Sequence, residues 1–285
     1  MNRITAGYAG YVNPYGGQEY RVELRPENVL CFAFWSKNYA PFMAHLRTIT
    51  ELGYRSYFNF TITGLPRAFE CNVVEATESV DTLKRLADLF TPRQINWRYD
   101  PIILSDQTPF NWHVDRFAFL AARLRGATPR CYFSFAVEYG KVRRSFEDFQ
   151  RRNSIRIDNP DLSTRQRLAN ALAGIAGENG MTMHSCCNDL LVGGRILKAH
   201  CVDGDLIRDL FDPGGPPYKS SPTRKECGCA ESTDIGAYDT CPHGCIYCYA
   251  NVNKARALEQ FRLHDAETVF LGRSKPVAEE WEAAL

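Results

Sequence analysis

Near-continuous apolar runs alternate along the chain with amphipathic stretches. The runs VLCFAFW (29–35), SYFNFTI (56–62), INWRY (95–99), CYFSFAV (131–137) and TMHSC (182–186) are rich in β-branched and aromatic residues. Runs of that length, apolar throughout, suit strands covered on both faces. Between them apolar residues recur at helical spacing. Phe42, Leu46, Ile49 and Leu52 share one face, with Gly53 as the stop. Val80, Leu83, Ala87 and Phe90 share another, and Val114, Phe117, Ala121 and Leu124 a third. A further helix from about 164 opens on Ser163-Thr-Arg-Gln166, a capping box, and ends near Gly180. These stripes read as core packing rather than as sites.

Strand then helix, repeated, predicts a parallel sheet with right-handed crossovers. The fold class expected is α/β, a partial or closed parallel (β/α) barrel. In such folds ligands lie at the carboxyl ends of the strands. Those ends carry WSKN (35–38), TITG (61–64), RYDP (98–101), VEYGK (137–141) and SCCND (185–189), polar segments at what would be the mouth of a site.

From about 212 the chain changes character. DPGGPPYKSSPTRKECGC is rich in Pro, Gly and Ser and reads as loop. DIGAY (234–238) is compatible with one more short strand, CPHGCIYC (241–248) follows as a loop, and NVNKARALEQFRL continues as a helix. The organisation expected is a barrel over 1–211, a cysteine-rich segment over 212–252 that completes it, and a C-terminal helix and polar tail over 253–285.

The chain has 285 residues, 45% hydrophobic and 24% charged, enough for a sizeable core. A formal net charge of +1 argues against a general polyanion binder. The N-terminus lacks the apolar segment of a secretory signal and no apolar run is long enough to span a bilayer, so a cytoplasmic protein with no membrane partner is expected. Eleven cysteines then read as metal ligands or redox groups rather than disulfides. Cys31, Cys71 and Cys131 stand singly in or beside apolar segments and read as small buried hydrophobes.

Cys241, Cys245 and Cys248 are different. Three thiols in eight residues, spaced C-x3-C-x2-C, favour a soft or borderline metal, either zinc or an iron–sulfur cluster. A structural zinc site takes four ligands, commonly from paired C-x2-C elements. Three thiolates on a [4Fe–4S] cluster leave one iron open. Upstream, Cys186 or Cys187 with Cys201, Cys227 and Cys229 supplies four more thiols. These suffice for a second cluster or for zinc, against the alternative of free thiols in a loop. His184, His200 and His243 lie among these cysteines and read as solvated or hydrogen-bonded residues.

The trio, with Tyr247 before its last cysteine, resembles the radical S-adenosylmethionine (SAM) enzymes, whose signature is C-x3-C-x-aromatic-C. Over roughly residues 5–251, FWSKN, FTITG, WRYDPI, HCVDGDLI, ECGC and DIGAYDTCPHGCIYCYAN are similar to the bacterial family called domain of unknown function 1848. That family in turn resembles radical-SAM proteins and, more loosely, spore photoproduct lyase. The resemblance implies a cofactor class, a [4Fe–4S] cluster with SAM, and no particular reaction. It implies a circularly permuted barrel, with DIGAY in the place of the first strand, and favours Cys186 over Cys187 as the ligand. It also implies one more N-terminal strand ahead of MNRITAG, without which a barrel stays open. A bound SAM would need partners for its carboxylate, ammonium and ribose. Arg98 offers a two-pronged contact, Lys37 a point charge and Asp100 a ribose acceptor, while Tyr247 belongs to the motif. Arg98 and Asp100 equally suit a structural ion pair.

The activity expected is reductive cleavage of SAM to a 5′-deoxyadenosyl radical that acts on an unknown substrate, with an electron donor of the flavodoxin or ferredoxin type. Two rivals stand beside it. One is a non-enzymatic zinc or iron–sulfur binding or electron-transfer module. The other is a DNA-repair-type radical enzyme using the arginine-rich run 141–156, with Phe146 and Phe149 interleaved, as a nucleic-acid contact. That run reads more simply as the solvated face of a helix.

Overall fold

The computed structural model describes residues 1–13, 16–137, 140–251 and 253–272. The chain begins with a short helix α1 (Asn2–Ala6) and an antiparallel pair, β1 (Tyr8–Val12) and β2 (Glu19–Glu23). The main sheet then runs in sequence order. It comprises β3 (Phe32–Ser36), β4 (Ser56–Thr61), β5 (Ile95–Ile102), β6 (Arg130–Phe135), β7 (Thr182–Ser185) and β8 (Ile196–Lys198), all parallel. The five apolar runs seen in the sequence are β3 to β7.

The crossovers are α2 (Met43–Glu51), α3 (Ala76–Leu89), α4 (Phe110–Leu124), α5 (Gly140–Asn153) and α6 (Leu162–Glu178). Leu46 and Ile49 of α2, Val80, Leu83 and Leu86 of α3, Phe117, Leu120 and Leu124 of α4, and Leu168 and Leu172 of α6 share one core. That core packs on a single face of the sheet, against Phe58, Phe60, Ile95, Trp97, Phe133 and Met183. Trp97 stacks on Phe117 at 4.8 Å. Each such side chain contributes about 1.5–3 kcal/mol by leaving water. Sequential strands with these four helices on one face is the winding of a barrel rather than of a doubly wound sheet. Among the described residues, however, β3 and β8 do not pair, so the sheet is open and not a closed barrel.

Strand residues alternate between faces, and the second face is polar. Asn59, Asn96, Arg98, Asp100, Tyr132 and Ser134 belong to it. Asn96 Nδ2 donates to Tyr57 OH at 2.5 Å and to Asn59 Oδ1 at 3.2 Å. Segment 199–230, including α7 (Gly204–Phe211), covers part of this face. Val202, Ile207 and Ala230 pack on Tyr57, and Asn59 Nδ2 donates to the Cys201 carbonyl at 3.0 Å. The helix after the cysteine loop is α8 (Lys254–Leu263).

Three expectations need correcting. DIGAY is not a strand: residues 234–238 make no ladder pairing and lie ahead of a tight turn. With five residues and no ladder partner, the sequence preference is not realised. The α6 cap is Asp161, whose carboxylate accepts from Thr164 N at 2.7 Å, rather than Ser163. Cys71 is exposed and Cys31 half-buried, leaving Cys131 alone of the three as a fully buried hydrophobe. The polar tail expected at the C-terminus lies, from 273 onward, outside the described residues. Among the described residues no helix is long and apolar enough to cross a membrane.

His113 of α4 is a core histidine. Its Nε2–H donates to the Ile103 carbonyl at 2.8 Å, so Nδ1 accepts from Tyr99 OH at 2.9 Å. Burial lowers its pKa from 6.5 to about 4. The folded state therefore binds fewer protons than the unfolded state between those values. Its contribution is intact above pH 6.5 and shrinks as pH falls toward 4, by up to about 3 kcal/mol. Urea unfolding at pH 7 and pH 4.5 should show that loss in the wild type, and His113→Gln should flatten the slope while being less stable at pH 7. Equal slopes in the two chains would refute the assignment.

Candidate thiol centres at the carboxyl edge of the sheet

Two groups of cysteines gather where the parallel strands end. The first is the loop 241–248. It has no strand before it and is instead pinned to the turn after β4. Cys245 bridges to Glu70, Ile246 N donates to Phe69 O at 3.0 Å, Asn72 N donates to His243 O at 3.1 Å, and Asn72 Nδ2 donates to Pro242 O at 2.8 Å. From the other side Asn251 Nδ2 donates to the Cys241 carbonyl at 2.6 Å. Gly244 adopts φ +69°, and a Cβ there would lie 2.5 Å from Cys71 Sγ. Glycine is thus required both by the backbone and by the close approach of Cys71.

Within this loop Cys245 is buried, Cys248 half-buried and Cys241 exposed. Burial pushes the Cys245 thiol up to about 12, with Lys37 opposing. Burial raises Cys241 as well. His243 Nδ1 lies 3.3 Å from Cys241 Sγ. Under the loop is a buried polar knot centred on Glu70 Oε1. It accepts from Lys37 Nζ at 2.9 Å, from Thr63 Oγ1 at 2.8 Å and from Tyr247 OH. Lys37 Nζ stands 5.6 Å from the Tyr247 ring centre. A second cation comes from α8: burial draws the Lys254 ammonium below its ordinary value, and charge contacts with Cys71, Cys245 and Cys248 oppose the shift. Glu70 and Lys254 were missed in the sequence and Cys71 was read as a buried hydrophobe, whereas Thr63 lies in the TITG segment expected at the mouth. FECN (69–72), a polar pair after Phe69, is the signal that could have found Glu70 and Cys71.

The second group is built from three distant segments. Cys186 and Cys187 follow β7, Cys201 follows β8, and Cys227 and Cys229 come from the covering loop. Cys186 Sγ is 3.5 Å from Cys201 Sγ. Cys229 Sγ accepts from Val202 N at 3.4 Å, and Cys227 Sγ from Thr223 Oγ1 at 3.7 Å. Arg98 NH1 donates to Cys201 Sγ at 2.8 Å, and its NH2 pairs with Asp100, which also accepts from Ser134 Oγ. Hydrogen bonds from Cys186 and Cys229, with the Arg98 charge, hold Cys201 well below the ordinary thiol range, whereas Cys186, the donor, is raised. The Cys186 hydrogen bond likewise lowers Cys187 to about 7. Burial opposes the Arg98 charge, and Cys201 and Asp100 sustain it.

The structure thus separates residues expected together. Lys37 and Tyr247 lie at the trio, while Arg98 and Asp100 form an ion pair at the second group. His184 Nδ1 meets the Lys198 carbonyl at 3.3 Å, and His200 abuts Gly228. Of VEYGK, residues 138 and 139 lie outside the described residues. Phe146 and Phe149 of α5 are buried, against Phe69 among others. They offer no stacking platform, and the arginines around them form the solvated face of the helix. Among the described residues no three Cys, His, Asp or Glu groups converge as a single metal ion needs. A cavity of about 240 Å³ lies between the end of β4 and the starts of α3 and α4, sharing Thr63 and Glu70 with the knot and bordered by Arg67 and Arg116.

The fold and site define a class: an α/β protein with an open parallel sheet and thiol-rich sites at its carboxyl edge. Residues 1–250 match the family model "Domain of unknown function (DUF1848)", and the chain belongs to that family. No curated protein matches it.

Proposed function

We propose that Cys241, Cys245 and Cys248 hold a [4Fe–4S] cluster with one open iron, and that the protein reductively cleaves SAM to act on a substrate still to be identified. The observation that carries the reading is the trio itself, on one loop pinned over a buried cation. The donor set fits the group. Three thiolates on separate irons need no common centre, unlike ligands of a lone ion. Lys37 and Lys254 supply positive charge beside Cys245, the buried sulfur of the three. Held by Cys241, Cys245 and Cys248, such a cluster would supply one-electron reduction of SAM, the electron coming from a flavodoxin- or ferredoxin-type donor and the sulfonium C–S bond parting into methionine and a 5′-deoxyadenosyl radical.

The chain's own residues position and shield. Glu70 fixes Lys37 and Tyr247 beneath the loop, and the fixed ammonium is poised for a carboxylate arriving above it. Asn72 and Asn251 hold the loop backbone so that its thiols keep their spacing. Arg98 and Asp100, bound to each other, support the neighbouring thiols instead.

Cys71 favours a second reading. Its sulfur lies 3.8 Å from the Gly244 carbonyl oxygen and shares Lys254 with the trio. As a fourth thiolate it would saturate the metal and make a binding or electron-transfer module. One experiment separates the readings: 5′-deoxyadenosine formation by anaerobic protein with dithionite and SAM, in the wild type, Cys245→Ala and Cys71→Ser. The SAM reading expects product from the wild type and from Cys71→Ser, and loss of at least about a thousandfold in Cys245→Ala, the scale for removing an indispensable catalytic group. Absence of product from a cluster-loaded wild type, with iron lost in Cys71→Ser, would establish the module.

A further inference from the structure

The cavity at the end of β4 has a chemistry of its own. Its volume is about 240 Å³. An apolar cavity of about 150 Å³ is enough for benzene, so this one has room for a ring or a branched chain and a polar group besides. Leu65, Val73, Val74 and Trp112 supply the apolar part of the lining.

Most of the polar groups in the lining are already engaged. Glu70 accepts from Lys37 at 2.9 Å and from Thr63 at 2.8 Å. Arg67 donates to Glu75 Oε1 from Nε at 3.2 Å and from NH2 at 3.1 Å. Glu75 stands at the N-cap of α3 and makes no capping bond. Two groups are left. Ser79 is 3% exposed, and its hydroxyl has no hydrogen-bond partner among the described residues. A buried hydroxyl without a partner is uncommon and marks a place where something else bonds. Arg116 has no carboxylate partner among the described residues, and its guanidinium lies 5.3 Å from the Trp112 ring centre. Its course depends on Gly64, which has φ +61° and where a Cβ would stand 2.9 Å from Arg116 Cδ. Only glycine leaves the arginine free to cross the turn after β4.

Charge decides what fits. Lys37 neutralises Glu70 and Arg67 neutralises Glu75, so Arg116 leaves one surplus positive charge. The first amides of α3, a helix of 14 residues, add a partial positive charge beside Ala76, which also lines the cavity. A monoanion balances that surplus. A dianion such as phosphate would carry an uncompensated charge next to two carboxylates. A guanidinium meets a carboxylate with two parallel N–H donors, and a serine hydroxyl supplies one donor more. We infer that the cavity binds a small monocarboxylate with an apolar body, the carboxylate on Arg116 and Ser79 and the body against Trp112, Leu65, Val73 and Val74. The inference concerns binding and does not rest on SAM cleavage by the trio.

The test is isothermal titration calorimetry of the full-length protein with benzoate, with its neutral isostere benzamide and with inorganic phosphate. Benzoate should bind saturably with Kd below about 1 mM, at least about tenfold tighter than benzamide, and phosphate should not compete. Arg116→Gln should weaken benzoate by about tenfold or more and leave benzamide unchanged. Ser79→Ala should weaken benzoate by about threefold. If Arg116→Gln does not fold, Ser79→Ala and the ratio of benzoate to benzamide affinity in the wild type still decide. No saturable benzoate binding, equal affinity for benzamide, an unchanged benzoate affinity in Arg116→Gln, or preference for phosphate overturns the inference. Failure of the SAM reading is registered separately, as absent 5′-deoxyadenosine from a cluster-loaded wild type that still binds benzoate.

Discussion

Replacing Glu70 by Ala is expected to lower the unfolding free energy by about 3–5 kcal/mol and to release the cysteine loop. Glu70 is 4% exposed, and one of its oxygens accepts from Lys37, Thr63 and Tyr247 together. Removing the carboxylate strands an ammonium whose side chain is 11% exposed, as well as a buried hydroxyl. Unpaired buried charge is where the large penalties of this kind arise. Lys37→Met in the same chain should recover part of the loss, because it removes the stranded charge. Glu70→Gln should fall between, keeping an acceptor for Thr63 and Tyr247 but not the charge for Lys37. Urea unfolding of the wild type, Glu70→Ala, Lys37→Met and the double variant gives the coupling directly. Additive losses from the two single replacements would mean that Lys37 and Glu70 do not depend on one another.

The second large effect is expected at Arg98. Arg98→Met should cost the metal-free chain about 3–5 kcal/mol, since it leaves Asp100 and Cys201 without their cation. Arg98→Lys should recover only a fraction. A single ammonium cannot reproduce a fork that engages a thiol with one nitrogen and a carboxylate with another. Met at 98 with Leu at 100 should be more stable than Met at 98 alone, as both charges are then gone. A double variant no better than the single one would place the cost in packing instead.

Much of the fold was legible because the chemistry of a parallel sheet is local. Strands announce themselves in the near-continuous apolar runs FAFW, YFNF and CYFSF, although the face that carries Asn59 and Ser134 is polar, and the helices between them keep their stripes. The failures were short or conditional elements. β8 has three residues, and its strand character comes from pairing with β7 at Met183–Ile196 to Ser185–Lys198. DIGAY has strand-forming residues but pairs with no strand, so the preference goes unused. The trio was legible from its spacing. Its setting was not, because the loop is held by Phe69, Glu70 and Asn72, about 170 residues earlier in a chain of 285. No sequence pattern reports such a pairing.

By itself, then, the sequence determined the alternation that makes a parallel sheet, the apolar stripe that each helix turns to the core, and the grouping of cysteines near positions 186–229 and 241–248. These follow from periodicity and from the chemistry of single side chains. Tertiary structure decided which cations serve which thiols. It placed Lys37 and Lys254 beside Cys245 and Cys248, turned Arg98 and Asp100 toward Cys201, and brought Cys71 to the trio and Cys187 to the second group. The physical reason is that charge compensation acts through space over a few ångströms. Its partners come from the ends of different strands, and only the folded sheet brings those ends together.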